Sequence, residues 1–567
     1  MKRWPALFVL FALLAGAAFF SWRQGRFVYQ SWLGYQPPAA LGLRAQTGAP
    51  PALTGRVVLV IVGGLRTDAS LELPSLSLLR QKGAWRTLSL PVPTYAPSSW
   101  ATLLTGTAPA EHGVLSPETA VTPLVPTLFD QAKAASLTTA LAAPRSWSGL
   151  VPRSVDLDLL VDPAAPEAEQ ASLEQADTAV QAKANLTVIY LSGPERAALM
   201  VGGGNRPYLN AASKADGELA HLLGSIDLGE TTVLVTSDHG VTAAGGSGGA
   251  EPEVRQVPLV AAGKGVRPGH FPDGRGEDLA PTLAALLGLA PSPGAVGRPL
   301  TDMLAYTSPA EAATVSRLAA LARASLLSAA IQGVGGSLVL PPSPGNSAAE
   351  VQSYQAEVDR QFALGRRHQW WLEIRSRLPW AAGGVLALFL YLLLLGRQPY
   401  GRSVFAGAAF YLVVYQALLL GPWPFGPFFR QHGFAYSLSQ LGQPPYLAFI
   451  RQRLLEAGLA TLGAALLAGI LAGRAARRGD AGRPIRPTVA VLHLSLAISA
   501  LLGLQALTYW ALFGPPFGLR LPPPAWTIKQ VLDLLQVPAV AAVSPLGALL
   551  GTVASRLARG RKEEAAP

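Results

Sequence analysis

Val57 to Asp68 reads VVLVIVGGLRTD, a run of six aliphatic residues that stops at a glycine pair. A strand with one wet face alternates apolar and polar residues. An unbroken run implies burial on both faces, as in a parallel strand inside an α/β sheet. Leu186 to Leu191 (LTVIYL) and Thr231 to Thr236 (TTVLVT) have the same character. Helix-compatible stretches lie between them, including 204–224 with Ala211, Leu219, Leu222 and Leu223 at apolar positions. This alternation predicts an α/β domain with a mostly parallel central sheet. Ligands of such sheets bind beyond the C-terminal strand ends, where Gly63, Glu195, Asp238 and His239 fall.

Outside this domain the chain changes character. It has 567 residues, half of them apolar and only 14% charged, a membrane-protein composition. It has no cysteine, which excludes disulfides, thiolate metal sites and a cysteine nucleophile. The net charge is +11, but Arg474, Arg477, Arg478, Arg483 and Arg486 cluster between two long apolar stretches. That is the positive-inside pattern, so no nucleic-acid partner is expected.

The expected organisation follows. Met1-Lys2-Arg3 precedes an apolar run from Pro5 to Trp22 with no clean Ala-x-Ala site, which predicts an uncleaved transmembrane anchor over 1–22 in preference to a signal peptide. Residues 23–54 read as a loop-like linker and 55–305 as the α/β domain. A helical connector occupies 306–379, with a helix starting at Ser308-Pro309-Ala310-Glu311, a Gly- and Pro-rich link over 333–347, and a second helix over 348–376 bearing interfacial Trp370 and Trp371. A membrane domain of about five helices spans 380–555, with segments near 380–396, 403–421, 453–473, 487–512 and 531–555. A basic tail, 556–567, carries Arg556, Arg559, Arg561 and Lys562.

Loop charge predicts six transmembrane helices in a bacterial cytoplasmic membrane, with both termini cytoplasmic and the large domain periplasmic or extracellular. Arg397 and Arg402 fit that orientation, whereas Arg375 and Arg377 run against it. The shortness of segment 380–396 and the prolines Pro538 and Pro545 leave a re-entrant piece as an alternative. His493 and Gln505 read as isolated polar residues, and Glu456 and Asp533 as lying near helix ends. Helix packing through Gly and Ala therefore explains the bundle better than transport. Expected partners are the bilayer and either a membrane protein or further copies of the chain.

Four stretches in order carry a resemblance. They are VVLVIVGGLRTD at 57–68, PTYAPSSWATLLTGTAPAEHG at 93–113, TSDHGVTAAGGSGG at 236–249, and Asp278-Leu279-Ala280-Pro281-Thr282-Leu283 followed by Gly297-Arg298-Pro299-Leu300. Together they resemble the alkaline phosphatase and sulfatase superfamily, in particular type I phosphodiesterases and nucleotide pyrophosphatases. The resemblance implies two divalent metals, usually zinc or manganese, or one calcium in sulfatases, and a threonine, serine or modified cysteine nucleophile. A phosphoryl or sulfuryl transition state needs cations on its attacking and leaving oxygens, and the cations need anionic or imidazole ligands.

Position by position, this chain departs from that pattern. The aspartate expected after the first strand is Gly63, the nucleophile position is Ala96, a ligand histidine aligns with Leu199, and the last histidine is Ser247. Glu195, Asp238 and His239 remain as relict metal-ligand candidates. Thr94 and Ser98 are weak replacements for the nucleophile; Ser98 and Ser99 read more simply as helix N-terminal caps, or as an unreactive oxyanion site. His112 reads as structural, Asp68 as a cap or arginine partner, and Arg66 and Lys264 as solvated or structural. The expected function is a non-catalytic scaffold or binding subunit in an envelope-associated complex, a pseudoenzyme with no cofactor. The alternative is a hydrolase or transferase using one divalent ion (Zn, Mn or Ca) on a lipid-linked or cell-surface substrate.

Overall fold

All six residues of β1 (Val57–Val62) are buried, and they alternate between two cores. Val57, Leu59 and Ile61 pack on one face, and Val58, Val60 and Val62 on the other. This is why the run shows no polar alternation. Each such side chain stabilises the fold by roughly 1.5–3 kcal/mol relative to exposure. The computed structural model describes residues 4–38, 48–115, 121–151, 154–165, 167–420, 439, 445–477 and 487–560. Arg478, Arg483, Arg486, Arg561 and Lys562, which carry part of the predicted charge bias, lie outside the described residues.

After α1 (Trp4–Leu33), the α/β unit runs β1, α2 (Thr67–Leu71), α3 (Pro74–Lys82), β2 (Ala84–Ser89), α4 (Ala96–Thr105), α5 (Pro109–His112), α6 (Leu128–Ala134) and β3 (Thr139–Pro144). It continues through β4 (Leu157–Val161), α7 (Ala168–Gln181), β5 (Leu186–Leu191), α8 (Gly193–Val201), α9 (Arg206–Gly224), β6 (Thr232–Thr236), α10 (Pro252–Arg255), β7 (Gln256–Gly263), β8 (Gly269–His270), β9 (Gly274–Arg275) and α11 (Leu279–Leu286).

The sheet order is β4-β3-β5-β1-β6-β7-β2-β8, with β9 also on β2. From β4 to β6 the strands are parallel; β7 is antiparallel to both β6 and β2. The predicted α/β class with a mostly parallel sheet is what the chain forms. Register aligns Val62 with Leu191, and Ile61 with both Tyr190 and Thr236. The ends of β1, β5 and β6 therefore open on one corner. The closing segment is structural: Asp278 Oδ2 accepts from the Arg275 amide at 2.9 Å and Oδ1 from the Arg298 amide at 2.7 Å.

Beyond it come α12 (Pro309–Gly333), α13 (Ala348–Gly396), α14 (Gly401–Leu420), α15 (Pro445–Arg477), α16 (Pro487–Leu512) and α17 (Pro524–Gly560). Among the described residues six helical spans are long and apolar enough to cross a membrane: 7–33, 309–333, 348–396, 450–475, 487–512 and 524–558. The chain thus has a multi-pass membrane arrangement with a large extramembrane domain. The set differs from the expected one. It includes α12, whereas the described apolar part of α14 is only 401–415. Packing sets α12 apart from the bundle. Its Val315 joins the α/β core, Leu326 and Ala330 pack on Val296, and Ala320, Ala324 and Leu327 meet Val351, Tyr354 and Val358 of α13.

Several sequence boundaries change. α1 runs eleven residues past Trp22, into the expected linker, because Val28 and Trp32 pack with Tyr509, Phe513 and Phe517. The connector helix and the first membrane segment are one 49-residue helix, α13, with Pro379 inside it. α17 is likewise continuous through Pro538 and Pro545, with no re-entrant break. Small residues let α15 and α17 approach closely: a Cβ on Gly469 would stand 2.2 Å from the Gly551 carbonyl oxygen.

The polar residues of the bundle are neither isolated nor terminal. His493 stacks on Tyr391 and Tyr400, and Gln505 bonds Lys529. Arg453 and Glu456 form a buried ion pair two turns inside α15, which begins at Pro445 and so encloses both. Asp533 is buried with Lys529 and Gln536, and Gln536 in turn accepts from the Tyr411 hydroxyl at 3.0 Å.

Candidate functional site

The corner beyond β1, β5 and β6 is organised by Tyr190. Its hydroxyl lies 2.7 Å from Glu195 Oε2 and 2.9 Å from Asp238 Oδ2. Trp100 Nε1, from α4, donates to the same Asp238 oxygen at 2.7 Å. The Gly64 and His239 amides donate to Asp238 Oδ1 at 3.1 and 2.9 Å. Trp147 stacks on Trp100 and closes against Tyr190, so the phenol is walled by indoles.

Two glycines make this arrangement feasible. A Cβ on Gly63 would sit 2.2 Å from the Tyr190 hydroxyl, so no side chain at 63 can coexist with this phenol pose. Gly64 has a φ of +71°, and a Cβ there would meet the Glu195 Cα at 2.8 Å. Its left-handed conformation brings β1's end onto α8, where the Glu195 amide donates to the Gly63 carbonyl at 2.9 Å.

The charges are arranged around an imidazole. His239 is 1% exposed, and its Nδ1 faces the Gly240 carbonyl at 2.9 Å. Its Nε2 lies 3.5 Å from Glu195 Oε1 and 3.7 Å from Asp238 Oδ2. Burial alone would depress the imidazole pKa, but the Asp238 charge and then Glu195 overcome this and raise it to about 9. Burial also pushes Glu195 up, yet His239 and the Tyr190 hydroxyl hold it below the ordinary range. Asp238 is raised, chiefly by burial, with His239 opposing. Tyr190 is pushed well above its usual value by burial and by both carboxylates, so it stays a proton donor.

The type I phosphodiesterase / nucleotide pyrophosphatase family matches residues 57–154, which run from β1 through α4 to the edge of β4. The α/β unit is an alkaline phosphatase and sulfatase superfamily domain. Solved structures similar to the chain include murine ectonucleotide pyrophosphatase / phosphodiesterase 5, at 13% identity over 44% of this chain and 100% of that one, with a TM-score of 0.39. Wild-type alkaline phosphatase PafA gives 12% identity over 45% and 100%, with a TM-score of 0.39. BT1596, a 2-O GAG sulfatase, gives 16% over 44% and 73%, with a TM-score of 0.35. No curated protein matches the chain.

Against the superfamily pattern the domain is degenerate. Glu195, Asp238 and His239 do come together, but among the described residues no group of three or more His, Asp or Glu side chains is arranged to hold a metal. The phenol lies between the carboxylates where a shared cation would need open oxygens, so the donor set does not fit a metal pair. Ala96 is the first residue of α4 and Leu199 is 57% exposed on α8, outside the corner.

Thr94 is fully engaged: its hydroxyl donates to the Gly249 carbonyl at 3.0 Å and accepts from the Gly248 amide at 3.1 Å. Ser98 and Ser99 are buried but make no cap; Tyr95 occupies the N-cap, and among the described residues neither hydroxyl has a hydrogen-bond partner. The expected capping role fails because the helix begins at Ala96, which places both serines inside its first turn. His112 is structural: its ring bonds Thr102 at 3.1 Å and accepts from the Val114 amide at 3.0 Å, and burial depresses its pKa to about 3. Asp68 pairs with Arg66 at 2.7 Å, and Lys264 with Glu230 at 3.5 Å.

Tyr190, Trp100, Trp147 and Ser439 escaped sequence reasoning. Tyr190 had one available signal, as the single aromatic in an otherwise aliphatic or threonine strand. Ser439, between α14 and α15, accepts from the Gly249 amide and donates to Glu251, each at 2.8 Å. It contacts the turn that bears Ser247, and nothing local to residue 439 announces this.

Proposed function

We propose that the chain is a non-catalytic scaffold or binding subunit, built on a degenerate phosphatase-like domain held outside a bacterial cytoplasmic membrane and working in an envelope-associated complex. The observation that carries this reading is the Tyr190 hydroxyl between Glu195 and Asp238. Trp100, His239 and this phenol supply the positive and proton-donating partners that buried carboxylates need. Thr94, one of the two weak candidates to replace the lost nucleophile, is spent on backbone bonds. Orientation with both termini cytoplasmic follows from the basic loops. A membrane-protein partner or a second copy would use the exposed faces of the domain or bundle.

The competing reading, a one-metal hydrolase or transferase, draws on the retained proximity of Glu195, Asp238 and His239. Purified full-length protein, assayed with aryl phosphate diesters, monoesters and sulfates in the presence of zinc, manganese or calcium, separates the two. No turnover above buffer and no stoichiometric metal are expected. Metal-dependent turnover abolished by Asp238→Ala or His239→Ala would overturn the scaffold reading.

A further inference from the structure

A cavity of about 700 Å³ lies where the α/β domain meets the membrane bundle, between the end of α1, the turns flanking α4 and α5, α12, α13 and the residues just before α17. Its volume is that of a small-molecule site. Its walls are largely apolar and aromatic, among them Trp32, Leu326 and Phe362. Arg366, Arg367 and Arg520 also line it, against Glu111 as the one acidic lining residue. Among the described residues none of the three arginines has a carboxylate within ion-pairing distance.

Two of the guanidiniums are already held in place. The Arg366 guanidinium lies 5.6 Å from the centroid of Phe362, and that of Arg520 4.5 Å from the centroid of Trp370. Trp370 is itself fixed by its Nε1 donating to the Leu512 carbonyl at 2.9 Å. Packing against an aromatic ring leaves guanidinium donors free for a bidentate oxyanion, and it removes part of the entropy of fixing a long side chain.

The setting adds a second requirement. Trp370 and Trp371 lie on α13 where it approaches its apolar stretch, as interfacial residues do. Further into the bundle a second cavity, of about 500 Å³, is lined by Val28, one turn before Trp32 on α1, and by Trp380, ten residues beyond Trp370 on α13. A free inorganic anion would use the arginines and leave the apolar walls wet. An uncharged lipid would leave three cations beside it without a partner.

We propose that the interfacial cavity binds a phosphate-headed lipid, with Arg366, Arg367 and Arg520 on the phosphate and Trp32, Leu326 and Phe362 along the start of the apolar chain. The site is separate from the Tyr190 corner, and the proposal does not depend on whether that corner is catalytic.

The test uses the full chain in a neutral sugar detergent, with short-chain phosphatidic acid as probe and native mass spectrometry as readout. Short-chain diacylglycerol and inorganic phosphate are run in parallel. Phosphatidic acid should bind at least about tenfold more tightly than either. The triple variant Arg366→Gln/Arg367→Gln/Arg520→Gln should weaken phosphatidic acid by at least about tenfold while leaving diacylglycerol unchanged. Phe362→Ala should weaken the lipid as well, which guards against a folding defect confined to the triple variant. Equal binding of phosphatidic acid to wild type and triple variant overturns the proposal. So does diacylglycerol or inorganic phosphate binding as tightly as phosphatidic acid.

Discussion

Tyr190 and Gly63 are two halves of one substitution. The space a Cβ at 63 would take is held by the phenol, 2.2 Å away, so returning a carboxylate there must displace it. Gly63→Asp should therefore destabilise the full chain by about 3–5 kcal/mol, as a clash plus an uncompensated buried charge. Adding Tyr190→Ala should recover at least about 1 kcal/mol of that loss, a coupling visible in a double-mutant cycle on urea unfolding. Strict additivity would show that the two positions do not compete for one space.

His239 gives a second residue-scale prediction. Its folded pKa of about 9 lies above the ordinary value of 6.5, so the imidazolium contributes in full below pH 6.5 and that contribution is lost as pH rises through about 9. The amount is on the order of 3 kcal/mol. The thermal midpoint should fall across that window in wild type and stay flat in His239→Gln; a flat wild-type profile would rule out the imidazolium. Glu195 acts at the other end, since its lowered pKa makes its contribution disappear only in acid. The vacancies at Gly63 and Ala96 were legible because they are defined by position in a motif. Tyr190 was not, because its role is set by what it faces across the corner.

Among the elements, the two connector helices were read best at their starts. Ser308 and Ser347 accept from the Glu311 and Glu350 amides at 3.3 and 3.2 Å, as a serine three residues before a glutamate leads one to expect. Their ends and joins were read less well. The second connector helix is expected over 348–376, yet α13 continues through Pro379 and the apolar segment beyond it to Gly396. Arg323 fixes how these helices meet the α/β domain: it reaches Asp359 of α13 at 2.7 Å and the Val296 carbonyl at 2.7 Å. Arg323→Ala should loosen that junction by about 1–3 kcal/mol. Limited proteolysis within the 334–346 link should become faster, with Asp359→Asn giving a smaller effect. An unchanged cleavage rate would mean that apolar packing alone holds α12 on α13.

For the whole molecule, hydropathy identified a membrane protein but could not say which apolar helices face lipid. α12 is apolar enough to span a bilayer, yet its apolar side chains pack on the α/β core, Val296 and α13. If α12 stays with the domain, residues before and after it lie on the same side of the membrane. If it spans, they lie on opposite sides. The absence of cysteine makes this directly measurable, because any introduced thiol is the only one present. Glu72→Cys on the α/β domain and Gln332→Cys at the end of α12 replace exposed residues, as do Arg397→Cys and Arg474→Cys at the far ends of α13 and α15. An impermeant maleimide applied to spheroplasts should label positions 72 and 332, and label 397 and 474 only after permeabilisation. Labelling of 72, 397 and 474 with 332 protected until permeabilisation would place α12 in the bilayer and reverse every span that follows it. The proposed lipid site would then change its placement relative to the membrane, since α12, α13 and the Arg520 segment all line it.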